Sequence, residues 1–169
     1  MKRIFTLVLS VIASVTMFAQ RPTATINQVN DMLQGATLYV VLDNNPINDY
    51  NSEIRKAVEK NWTLTPFKFI HIDVLDSTKL QNPKNAFLVP VTTVFVEDKD
   101  SVKYLFLSLW IGGEYETLSD LPEVCTFPLC YDLSDEFEMT YKLPAIVAFF
   151  NKHVQAIQSN PALLKDKKF

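Results

Sequence analysis

The sequence predicts a single α/β domain, a mixed β-sheet with flanking helices assembled from a βαβ unit, a β-hairpin and a C-terminal helix. Three observations carry that prediction. The stretch ATLYVVLD (36–43) is an almost unbroken apolar run rich in β-branched residues, the pattern of a strand buried on both faces. YNSEIRKAVEKNW (50–62) then changes period: Tyr50, Ile54, Ala57 or Val58, and Trp62 share one helical face, with charged residues opposite. Finally AFLVPVTTVFV (86–96) and VKYLFLSLWI (102–111) are long apolar runs joined by a short charged link, which is a hairpin pattern.

The elements follow in order. TATINQVNDMLQ (23–34) spaces Ile26, Val29 and Leu33 as a short helix, with Gly35 placed to end it. After strand 36–43, DNNPIND has turn chemistry, and Asn48 or Asp49 is suited to cap the helix at 50–62. FKFIHIDV (67–74) alternates Phe67, Phe69 and His71 against Lys68, Ile70 and Ile72, so it reads as a second strand, parallel to the first. A short helix fits within LDSTKLQNPKN. In the hairpin, Pro90 removes a ladder donor and requires a free edge or a bulge there. EVCTFPLCYD reads as an extended segment broken by proline. A last helix starts near 141–144 and runs to about Gln158, followed by a frayed tail from about 160. The expected architecture places helices on both faces of the sheet.

The N-terminus addresses location. Lys2 and Arg3 precede an uncharged run from Ile4 to Phe18, and Ala19 is a small residue suited to precede cleavage, the layout of a secretory signal peptide over 1–19. No cysteine near residue 20 is available for lipid attachment, so the expectation is an exported bacterial chain, periplasmic or extracellular, without stable membrane insertion after cleavage. The remaining 20–169 suits one domain with a substantial core. Without Lys2 and Arg3, the 16 Lys and Arg fall to 14 against 19 Asp and Glu, a net of −5. Nucleic acid is a poor partner for such a chain, because phosphate affinity needs clustered Lys and Arg. The basic LKDKKF at the C-terminal end reads as a solvated tail.

The chemistry-bearing residues are few. Both cysteines lie in VCTFPLC, and in an oxidising compartment a disulfide between Cys125 and Cys130 is one expectation and two separately buried thiols the other. On one continuous strand they would face opposite ways, so a disulfide requires a bend, for which Pro128 is the candidate. Redox work asks for a thiolate-stabilising helix N-terminus, which this spacing lacks. His71 with Asp73 or Asp76, at the end of a parallel strand, is the best available general base with an orienting carboxylate. Three glycines in all, Gly35, Gly112 and Gly113, leave no phosphate-cradling loop, and no cofactor is expected. The acidic group Asp132, Asp135, Glu136 and Glu138 lacks the alternation and glycine of a calcium loop.

The hairpin is apolar on both faces: Val102, Tyr104, Phe106 and Trp110 on one, Leu105, Leu107 and Leu109 on the other. A helix over each is the expectation, and an exposed face offered to a partner is the alternative. Asp76-Ser77-Thr78 and Asp100-Ser101-Val102 resemble a short motif that carries O-linked glycans on exported bacterial proteins, with Ser77 and Ser101 as acceptors.

Two resemblances add expectations. TLYVVLD, YNSEIRKAVEKNWTLTPFKFI and LSLWIGGEYETL with the closing helix resemble a group of small exported proteins of gut-type bacteria. This implies export and a shared α/β fold, and no functional residues. The element order βαβαββα also resembles the thioredoxin fold, whose reactive cysteines open the first core helix; here that position is DNNPINDY, without cysteine. Three functions follow. The first is a non-catalytic interaction module of the cell envelope, engaging another envelope protein. The alternatives are a hydrolase using His71 with Asp73 or Asp76, and a thioredoxin-like redox protein using Cys125 and Cys130.

Overall fold

The computed structural model describes residues 21–45, 48–75, 77–95, 102–131 and 139–164. Helix α1 (Ile26–Leu33) opens with a capping box in which the Gln28 amide donates to the Thr25 hydroxyl and the Thr25 amide donates to the Gln28 side chain. Gly35 ends it at φ +128°, a region that L side chains avoid. Strand β1 (Thr37–Leu42) leads to α2 (Asp49–Asn61), capped by the Asn48 side chain on the Tyr50 amide at 2.7 Å. Asn51 fixes the intervening turn: it accepts from the Asp43 amide at 2.8 Å and donates to the carbonyls of Asp43 and Asn45. Strand β2 (Phe67–His71) is shorter than its sequence pattern, because Ile72–Val74 turns into a 3-10 helix.

After the short helix α3 (Ser77–Leu80) come β3 (Asn85–Val94), β4 (Lys103–Ile111), β5 (Glu123–Tyr131) and α4 (Leu143–Ser159). Among the described residues the strands form one mixed sheet in the order β2–β1–β3–β4–β5. β1 is parallel to β2 and β3, while β3–β4 and β4–β5 are antiparallel. The α/β prediction, the βαβ unit and the hairpin are therefore correct. Pro90 also falls where it is tolerated, two positions beyond Leu88, the last β3 residue paired with β1.

Among the described residues the helices are divided unequally between the two faces, with only the short α3 contributing, through Leu80, to the second. α1, α2 and α4 all pack on one face, burying Val29, Met32, Ile54, Val58, Ile146, Phe150 and Val154 against Leu38, Val40, Leu88, Leu107 and Leu109. On the second face a smaller core joins Val41, Phe87, Val89 and Trp110 to Leu80 and Leu121, with Leu75, Tyr115 and Leu118 packed beside them. Its cover is the β2–β3 crossover and the loop over 112–121.

Two further readings change. The extended, proline-broken segment is a complete strand, β5, with register shifts at Leu105/Phe106 and Leu109/Trp110. The expectation of a frayed tail from about 160 is corrected for 161–164, where Pro161–Leu164 forms a 3-10 turn whose Leu164 is buried in the main core, while 165–169 lie outside the described residues. Among the described residues, no helix is long and apolar enough to cross a membrane. The segment 1–19 read as a leader, the acidic group at 132–138, Asp76 and Ser101 lie outside the described residues, while Ser77 opens α3.

Candidate interaction face

The sequence-derived site residues are dispersed. His71 sits half-buried at the end of the edge strand β2, with its Nδ1 at 3.2 Å from the Asp43 carbonyl oxygen. Asp73 is exposed on the following 3-10 turn and makes no hydrogen bond or ion pair with His71. The imidazole is thus oriented by a backbone carbonyl and not by that carboxylate. Among the described residues no group of three or more His, Cys, Asp or Glu is placed to hold a metal ion.

The cysteine pairing is corrected. Cys125 and Cys130 are buried and not bridged to each other. Five residues along an extended strand separate their backbones by about 15 Å, well outside disulfide reach. The expectation of opposite faces also fails, since Leu105 pairs with Cys130 and Phe106 with Pro128. The extra residue, Leu129, resets the alternation, so both thiols join the core beneath the helices. Burial, reinforced by Glu123, pushes the Cys125 thiol far above its usual value, opposite to what a nucleophilic thiolate requires.

What the fold does assemble is a platform on the second face of β3, β4 and β5. Alternation along β4 sends Phe106, Ser108 and Trp110 to this side while Leu105, Leu107 and Leu109 enter the helix-covered core. Cross-strand register then sets Val91 beside Phe106, Thr93 beside Tyr104, and Ser108 beside Thr126. The crossover and the 112–121 loop cover this face only as far as Trp110 and Val91. Beyond them lies an open groove of about 300 Å³ lined by Arg21, Val91, Thr93, Phe95, Phe106, Ser108, Trp110, Glu123 and Thr126.

The aromatic end of the groove is ordered by ring contacts. Phe95 meets Tyr104 edge-on at 5.1 Å and Phe106 at 6.3 Å, yet it is 49% exposed. At the other end, the Arg21 guanidinium lies 3.7 Å from the Trp110 ring centre and donates to the Leu118 carbonyl at 2.5 Å. Burial lowers the Arg21 pKa, and Glu123 and Asp120 oppose that shift, so the group stays charged. The adjoining backbone holds it there: the Glu123 amide donates to the Pro22 carbonyl at 2.7 Å, and the Ala24 amide donates to the Glu123 carbonyl at 2.8 Å.

A larger cavity of about 510 Å³ lies between Thr23, Ala24, Thr25, Ile26, Pro161, Ala162 and Leu164. It has no charged, aromatic or nucleophilic thiol lining, so it offers little for recognition. The aromatic stripe of β4 was legible in the sequence; the contributions of Arg21, Thr93 and Thr126 were not, because nothing local brings them together. Comparison with protein families, characterised proteins and solved structures yields no match.

Proposed function

We propose that this chain is an exported, non-catalytic binding module of the bacterial cell envelope that engages another envelope protein through the open face of β3, β4 and β5. The observation that carries the reading is the half-covered second face. A three-strand platform there keeps Phe95, Phe106 and Thr93 available beside the covered part of the same face. The leader-like N-terminus supports export. The contacts of His71 and the burial of Cys125 favour neither the hydrolase nor the redox alternative.

Site-specific photocrosslinking in the native envelope tests this reading. A photoreactive residue at Thr93 should give a discrete adduct with a second protein, and one at Glu59, exposed on α2, should not. No adduct at Thr93, or the same adducts from both positions, would remove the basis for the proposal. Intact-mass measurement of the exported chain gives the cleavage site in the same preparation.

A further inference from the structure

Resting on the reading of this chain as an exported one, we propose that Gln20 is a modification site: once the leader is removed after Ala19, the Gln20 α-amine closes on its own side chain, and the mature chain begins with a pyroglutamyl ring. Two observations carry this inference. The order Ala19-Gln20-Arg21-Pro22 places a glutamine directly after the cleavage residue of the leader pattern. The chain is then anchored from Arg21 onward, so that little of it precedes the folded part.

Cleavage after Ala19 would leave an amine and a side-chain amide on the same residue. The amine nitrogen attacks Cδ of the amide, a C–N bond forms, the Cδ–Nε2 bond breaks, and ammonia leaves with one hydrogen taken from the amine. No oxidant, reductant or second substrate enters. An α-amine with a pKa of about 8 is neutral, and so nucleophilic, in about a tenth of the chains at pH 7. Ring closure within one residue has the high effective concentration of an intramolecular step. Neither Ala19 nor Arg21 has a side-chain amide, so cleavage one residue to either side would leave an end that cannot close.

The fold explains why this end matters. The Arg21 guanidinium lies over Trp110 and donates to the Leu118 carbonyl, the Pro22 carbonyl accepts from the Glu123 amide, and Thr23 bridges to Glu123. In the mature chain only Gln20 comes before this strap. A free terminus would add an ammonium one residue from a half-buried guanidinium whose burial cost Glu123 and Asp120 already offset. The ring removes that like charge. It also removes the free amine that an aminopeptidase grips, and so protects the residue next to the one that walls the groove.

Intact mass of the native exported chain, quenched in acid at harvest, tests the proposal together with stepwise N-terminal degradation. The mass should equal that of residues 20–169 less one ammonia. Degradation should be blocked, and after treatment with pyroglutamyl aminopeptidase it should read Arg21, Pro22, Thr23 and Ala24 in turn. Gln20→Asn, whose shorter side chain cannot close the same ring, should give the full mass of its sequence and an open terminus. A quenched wild-type sample with the full mass of 20–169, or one that loses ammonia only on storage, would overturn the modification and leave the export reading standing. A mature chain beginning at another residue would overturn the site and still leave export standing. A retained leader would remove both.

Discussion

Arg21 covers Trp110 with its guanidinium 3.7 Å from the ring centre, so the first described residue of the chain forms one wall of a groove made by its late strands. A cation over an indole, with one further bond to the Leu118 carbonyl, contributes about 1–2 kcal/mol. Arg21→Ala should lower the urea midpoint accordingly and shift tryptophan emission to the red. An unchanged midpoint would show that the strap over β5 is held by its backbone bonds to Glu123 alone.

Gly112 is required by close approach. An added Cβ would overlap the Asn82 carbonyl oxygen and press on those of Leu80 at 3.0 Å and Asn85 at 3.2 Å, all backbone atoms. Gly112→Ala should therefore cost about 2–3 kcal/mol in denaturant unfolding. A cost below that of an ordinary surface substitution would mean the α3–β3 turn yields readily.

Asn151 ties the third covering helix to the exit of α2. Its side-chain oxygen accepts from the Thr63 amide at 2.9 Å, and its amide donates to the Thr63 hydroxyl at 3.2 Å, in a largely buried position. Asn151→Ala removes both bonds to the exposed Thr63, and about 1 kcal/mol should be lost. The thermal midpoint should fall, while Gln155→Ala on the exposed side of α4 should leave it unchanged.

His153 stacks on Phe149 with ring centres 5.3 Å apart, and burial lowers its pKa below 6.5. As pH falls through 6.5, the unfolded chain takes up the proton before the native one. The native state consequently loses relative stability, until the pH passes below the native pKa. His153→Gln should flatten the decline in stability between about pH 7 and pH 5. Parallel wild-type and variant curves would contradict this.

The cysteines predict a labelling pattern. The native chain should resist alkylation, and unfolding without reductant should expose both of the chain's two thiols to label. A requirement for prior reduction would contradict the extended geometry of β5, which holds the two backbones about 15 Å apart.

The elements were legible where periodicity was strong and local. ATLYVVLD became β1, the amphipathic pattern at 50–62 became α2, and the hairpin runs became β3 and β4. β5 was obscured because Pro128 argues against a strand, and only pairing with β4 on one side makes that proline acceptable. The thiol orientation was misread for a related reason. A period-two argument assumes an unbroken ladder, whereas Leu129 adds a residue to it.

By itself the sequence determined the fold class, the order of elements apart from β5, the glycine end of α1, the turn residues that cap α2, and the apolar character of both hairpin faces. Each of these depends on residues within a few positions of one another. Only the tertiary structure decided that α1, α2 and α4 share one face, that a crossover and a loop cover just part of the other, and that Arg21 closes the groove against Trp110. Those are relations between distant segments. The same alternating apolar pattern serves a buried face or an open one, and packing alone determines which strands keep a surface for a partner.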